Sequence, residues 1–176
     1  MINNRRFAMT PETPRTHLKD ERSEIPADYP IPHLQKRQEG ADAPLLGWVG
    51  FGSMGLAMSG RLLESGMNLV GYNRDPKKVP VHPRMTTVTT PADVSKDARI
   101  IFLMLTDGHA TEAVLSAPEG ILSRLLPGTI VVNMSTISPK QAVKEDRMVR
   151  DAGGSYLDIP VSGSVIPAQN GQLLLL

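Results

Sequence analysis

Cysteine is absent from the 176 residues, and aromatic residues make up only 4%, with a single tryptophan. Without cysteine there is no disulfide scaffold, no thiol nucleophile and no thiolate-ligated zinc. Charge of one sign is lacking too: 19 Lys+Arg stand against 18 Asp+Glu, a formal net charge of +1. That balance gives no electrostatic reason to expect nucleic acid or an anionic membrane as partner. The run of six apolar residues at 100–105 falls far short of the about 20 that a membrane-spanning helix needs. A cytoplasmic location fits these absences. The four histidines, His17, His33, His82 and His109, lack the spacing of a metal site. Ser162 has no His/Asp arrangement nearby in sequence, which speaks against a hydrolase nucleophile.

What is there divides in two. Residues 1–43 carry seven basic and seven acidic residues and five prolines, with no helical or strand period. Such a segment has too little apolar surface to offset the entropy of ordering, and a disordered extension is expected. A targeting peptide is the rival reading, given Arg5, Arg6 and Arg15, but Glu12, Asp20, Glu21 and Glu24 speak against it.

Residues 44–176 alternate strand-like and helix-like segments. Residues 45–49 read as a first strand, 68–72 as a second and 85–88 as a third. The stretch 99–104 is apolar without alternation, as a strand covered on both faces should be. Residues 129–133, 156–158 and the leucine run from Leu173 to Leu176 supply further strands. Between them, 53–65 place Met54, Met58 and Leu62 on one helical face, with Gly66 as a stop. Thr90-Pro91 opens a short helix, and Ser138-Pro139-Lys140-Gln141 has the form of a capping box whose helix ends at Gly153-Gly154. This alternation predicts a doubly wound α/β fold of the Rossmann type, a mostly parallel sheet with helices on both faces.

The chemistry concentrates in Gly50-Phe51-Gly52-Ser53-Met54-Gly55, a G-x-G-x-x-G that follows a strand directly and opens an amphipathic helix. In that context Gly50 permits the tight turn, Gly52 lets a pyrophosphate approach the backbone, and Gly55 allows helix and strand to pack closely. The helix N-terminus offers free N–H groups and the positive end of a dipole to the phosphates. About 20 residues on, an NAD site places an acid for the ribose hydroxyls. Here stand Asn73-Arg74, with Lys78 four residues after Arg74. A guanidinium there suits a 2′-phosphate, so NADP is expected and NAD is the lesser choice. Asp75 follows Arg74 and is the poorer candidate for the ribose.

The glycine motif with Met58, then Tyr72-Asn73-Arg74, Ser135-Thr136-Ile137-Ser138-Pro139 and Asp158-Ile159-Pro160-Val161-Ser162-Gly163 together resemble the N-terminal half of the β-hydroxyacid dehydrogenases. That family includes the 6-phosphogluconate dehydrogenases as distant members. The stretch from Pro160 to the C-terminus is most similar to the glyoxylate/succinic semialdehyde reductase branch. The resemblance implies that the glycine turn, including Phe51, Ser53 and Met54, binds the pyrophosphate, and that Asn73 and Arg74 select NADP. It implies that Leu105 and Thr106 line the cofactor path, Thr106 standing where the family has proline, and that Thr136 lies beside the nicotinamide. Ser135, Ser162 and Gly163 would touch the carboxylate of a small-molecule substrate. Hydride transfer between NADP(H) and a carbonyl carbon would be the reaction.

In the resembling family the catalytic lysine lies on a helix after the Rossmann domain, which places it beyond Leu176. None of the lysines here sits in such a segment, so the catalytic residue is unknown and the second, helical domain is absent from these 176 residues. A truncated gene model or a fragment is therefore expected, intact family members being homo-oligomers. Two readings stay open: the cofactor domain of an NADP-dependent oxidoreductase, or a non-catalytic dinucleotide-binding module.

Overall fold

The computed structural model describes residues 44–176, so the expected disordered extension lies outside the described residues. Six strands form one parallel sheet: β1 (Leu45–Val49), β2 (Asn68–Tyr72), β3 (Met85–Thr87), β4 (Ile100–Leu103), β5 (Ile130–Asn133) and β6 (Ser155–Asp158). Their order across the sheet is β3-β2-β1-β4-β5-β6. This is the strand order of the Rossmann fold, in which the chain reverses its direction of travel between β1 and β4. The crossovers carry α1 (Ser53–Glu64), α2 (Pro91–Ser95), α3 (Gly108–Ser116) and α4 (Pro139–Asp151).

The apolar side chains explain why both faces of the sheet are covered. Alternate residues of a strand point to opposite faces. Val49, Ile101, Leu103 and Val131 join Val94 of α2, Leu115 of α3 and Val149 of α4 in one core cluster. On β1 and β4 the intervening residues Leu46, Trp48, Ile100 and Phe102 pack with Leu62 of α1 instead. The rings of Trp48 and Phe102 lie 5.6 Å apart at a tilt of 31°, a pairing worth about 0.5–1.5 kcal/mol beyond burial.

Local chemistry sets the helix ends. The Thr90 hydroxyl accepts from the Asp93 N–H at 3.2 Å, with Pro91 opening α2. Ser138 does the same for α4 by accepting from the Gln141 N–H, also at 3.2 Å. Only half of the expected capping box forms, because the Gln141 amide reaches Gly108, Glu112 and Glu145 rather than turning back. Gly66, at φ +88°, ends α1 as expected.

The C-terminal part departs from expectation. Of the strand expected from Leu173 to Leu176, only Leu174–Leu175 is extended (β8), and it pairs antiparallel with β7 (Val161–Ser162) in a separate two-stranded sheet. Leu173 and Leu176 fall outside β8. The Leu176 N–H still donates to the Pro160 carbonyl at 3.0 Å, which ties the last residue to the chain just before β7. β7 and β8 pair through two residues each, Val161 with Leu175 and Ser162 with Leu174. Between them α5 (Val165–Asn170) packs on α1. Pro167 inside the segment obscures that helix in the sequence, yet it lies early enough in α5 to be tolerated.

Candidate functional site: the cleft at the strand reversal

A cleft of about 820 Å³ opens at the carboxyl ends of β1 and β4, where the strand order reverses. Open α/β sheets bind ligands at this position. The glycine turn forms its floor. Gly50 has φ +99°, and a Cβ there would stand 2.2 Å from the Met104 carbonyl oxygen of the loop after β4. A Cβ on Gly55 would stand 2.1 Å from the Gly50 carbonyl oxygen. The fold itself therefore demands both glycines.

Gly52 differs. Its φ is −70°, and a Cβ built on it meets nothing within 4 Å. Among the described residues nothing requires glycine there, so the space is a cradle that a side chain would fill. Gly52 is also the N-cap of the 12-residue α1, with no side chain capping the first turn and no acid in that turn. Open space before a helix N-terminus that carries no capping group suits an anion such as a diphosphate. The residues present thus fit a dinucleotide.

Of the expected residues, Gly50, Gly52, Ser53, Met54, Gly55, Asn73, Arg74, Lys78, Leu105 and Thr106 all line this cleft. Arg74 and Lys78 are exposed at its rim. The Asp75 carboxylate is turned to its own chain, accepting from the Lys77 N–H at 3.1 Å to cap the short turn Pro76–Lys78. Asn73 has structural work as well. Its Oδ1 accepts from the Phe51 N–H at 3.0 Å, and its Nδ2 donates to the Asp75 carbonyl at 2.8 Å. The carboxamide ties the glycine turn to the loop that presents Arg74.

Other expected residues lie elsewhere. Phe51 offers its N–H to Asn73, but its side chain is fully buried under β2, where a Cβ on Gly71 would stand 2.7 Å from the ring. Ser135 was expected at a substrate carboxylate; it is fully buried instead, and its oxygen accepts from the Leu105 N–H at 2.9 Å. A buried hydroxyl engaged in this way holds a loop and does not face the cleft. Thr136, Ser162 and Gly163 are exposed and are not among the residues lining the cleft. Gly163 has φ +142°, and a Cβ there would stand 2.6 Å from the Leu173 side chain, so it shapes the β7 turn. Among the described residues no lysine other than Lys78 lines the cleft.

Trp48 has a part that its place in an apolar run does not suggest. The indole is 1% exposed, and its N–H donates to the Gly50 carbonyl at 2.9 Å. The side chain thereby anchors the glycine turn from below. Only the proximity of Trp48 to that turn in the sequence could have signalled it.

Two carboxylates tie α3 in place: Asp107 caps its N-terminus, and Glu112 pairs with Lys144 of α4. At Asp107, hydrogen bonds hold the carboxyl below its usual range, first from the Ala110 N–H and then from the Thr106 hydroxyl. Glu112 is held low by Lys144, at 2.6 Å, and by Gln141. Among the described residues no group of His, Asp and Glu could hold a metal ion, and no helix is long and apolar enough to cross a membrane.

Comparison with known proteins agrees with this geometry. The chain is 33% identical over 133 residues to glyoxylate/succinic semialdehyde reductase 1 of Arabidopsis thaliana, covering 74% of this chain and 46% of that protein. A solved complex with NADP+ and 2-OPP is 30% identical with a TM-score of 0.68, covering 73% of this chain and 46% of that one. The 3-hydroxyisobutyrate dehydrogenase of Mycobacterium tuberculosis, at 23% identity, shares the fold with a TM-score of 0.69 over 76% of this chain and 45% of that one. The chain spans about half the length of the curated relatives it matches. Residues 45–176 match the sequence model of the NAD binding domain of 6-phosphogluconate dehydrogenase, and the chain belongs to this β-hydroxyacid dehydrogenase family, carrying its NAD(P)-binding domain.

Proposed function

We propose that the cleft binds NADP(H), and that the chain is the cofactor half of an oxidoreductase acting on a small β-hydroxyacid or semialdehyde. One observation carries the reading: the open cradle at Gly52 and the cationic rim at Arg74 and Lys78 belong to the same cleft. When bound, the nicotinamide would supply hydride transfer. The chain's own residues bind and orient it.

The first-turn N–H groups of α1 receive the diphosphate, and the dipole of α1 favours its charge. Arg74 takes the 2′-phosphate with paired charge-assisted hydrogen bonds, and Lys78 adds a second positive charge. Asn73 sets the position of the Arg74 loop through its two backbone contacts. Leu105 and Thr106 form one wall of the cofactor cleft, and Thr136 remains a proposed neighbour of the nicotinamide. Ser162 and Gly163 remain proposed contacts for the substrate carboxylate. Ser135 does not, because its hydroxyl is buried behind Leu105.

A glyoxylate- or succinic semialdehyde-type substrate is supported by the likeness to the Arabidopsis reductase. Calorimetric titration with NADPH and NADH tests the core of the proposal. Tighter binding of NADPH is expected; equal affinities would remove the NADP assignment, and no binding of either would remove the dinucleotide site.

A further inference from the structure

Behind the cleft wall lies a carboxylate for which the dinucleotide reading has no use. Glu145, in the middle of α4, is fully buried. Its four hydrogen-bond partners are all neutral donors. The Thr111 hydroxyl and the Gln141 amide (2.9 Å) reach Oε1, while the Tyr156 hydroxyl (2.8 Å) and the Asn133 amide (3.1 Å) reach Oε2. Taking a carboxylate out of water is costly, and an apolar residue of similar size would fill the space more cheaply. What the carboxylate adds is the capacity to collect donors from several elements at one point.

Asn133, at the end of β5, carries the constraint towards the cleft. Its Oδ1 accepts from the Ser135 N–H at 2.9 Å, and the Ser135 Oγ accepts from the Leu105 N–H at 2.9 Å. Leu105 and Thr106 are cleft wall. A second route runs through Gln141, whose Nε2 also donates to the Gly108 carbonyl at 3.2 Å. With Thr111, that contact fixes the first turns of α3, whose Ala110, Ala113 and Val114 continue the same wall.

We infer that Glu145 is a positioning residue for the cofactor cleft. Through Asn133 and Ser135 it holds the wall made by Leu105 and Thr106, and through Thr111 and Gln141 it holds the adjoining end of α3. This role rests on the dinucleotide reading of the cleft. Buried polar networks of this kind specify one arrangement of the elements they join, provided every member is satisfied.

The test compares the full chain with its Glu145→Leu, Glu145→Gln and Ser135→Ala variants. Amide hydrogen exchange at Leu105 is measured without cofactor, with the Ile101 and Val131 amides as controls for global opening, and NADPH dissociation constants are measured alongside. Glu145→Leu should speed Leu105 exchange roughly tenfold beyond any change at the controls and weaken NADPH several-fold. Glu145→Gln keeps one acceptor oxygen and should fall between. Ser135→Ala cuts the last bond while leaving Glu145 in place, so it should speed Leu105 exchange even if Glu145→Leu does not fold. Leu105 exchange that merely follows Ile101 and Val131 in Glu145→Gln and Ser135→Ala overturns the inference, as does faster Leu105 exchange with unchanged NADPH affinity. An unmutated chain that binds neither cofactor would sink the dinucleotide reading instead. Leu105 exchange alone would then decide whether the relay holds the loop.

Discussion

The indole N–H of Trp48 donates to the carbonyl oxygen of Gly50 at 2.9 Å, so a buried hydrogen bond joins the penultimate residue of β1 to the first glycine of the motif. The same oxygen is the atom that a Cβ on Gly55 would strike. One carbonyl thus fixes both the approach of α1 to the sheet and the shape of the turn that faces the cleft.

Trp48→Phe keeps a ring in the core but removes the donor. A buried acceptor left without its partner costs about 1–3 kcal/mol. The urea midpoint read by circular dichroism should fall, and NADPH affinity should weaken because the turn is less well held. An unchanged midpoint together with unchanged affinity would deny the hydrogen bond any such part.

Gly52 and Gly55 should separate binding from folding. Gly52→Val places a side chain in open space, so the circular dichroism spectrum and melting temperature should stay near those of the unmutated chain while dinucleotide binding is lost. Gly55→Ala drives a methyl against the Gly50 carbonyl oxygen and should lower stability by about 1–3 kcal/mol. Retained binding by the Gly52 variant would displace the proposed diphosphate site.

Arg74→Ala should remove most of the preference for NADPH over NADH, with NADH affinity little changed. The loss of a charge-assisted phosphate contact corresponds to roughly 1.5–3 kcal/mol, or about 10- to 150-fold in the NADPH dissociation constant. Paired titrations of the two cofactors read the ratio directly. A ratio unmoved by the substitution would leave Lys78 as the remaining cationic candidate at the rim.

Alkaline pH should find the Tyr156 hydroxyl. Burial above all, joined by the Glu145 carboxylate, raises its pKa well above the ordinary phenol value, although the Asn133 amide opposes the shift. With the folded value above the unfolded value of about 10, the unfolded chain releases this proton first. Stability is then unaffected below about pH 10 and falls as pH rises above it. Urea midpoints followed across that range should decline, and Tyr156→Phe should show a shallower decline. Parallel slopes for the two proteins would refute the assignment.

Much of this was legible in the sequence because it is local. The strand–glycine–helix order from 45 to 64, the caps Thr90 and Ser138 and the stop at Gly66 depend on neighbours within a few residues, and the structure has each in place. Alternation of strands with helices implied the parallel sheet for the same reason. Asn73 and Arg74 could be picked out by their distance from the glycines, since β2 must end beside β1 in a parallel pair.

Other features were settled only by the tertiary structure. A sequence gives Ser135 the same hydroxyl whether it faces substrate or the core; the approach of Leu105, 30 residues away, turns it inward. Glu145 reads as one more charge on a polar helix, and only the convergence of α3, β5 and β6 on that side of α4 makes it a buried acceptor. The strand expected from Leu173 to Leu176 had the apolar content of a sheet member, but its partner is the short β7. Composition and periodicity dictate which stretches become strands and helices, because those depend on backbone sterics and on one apolar face. Which polar group ends up buried, and against what, depends on contacts between residues far apart in the chain, and these exist only once the sheet has brought its strands together.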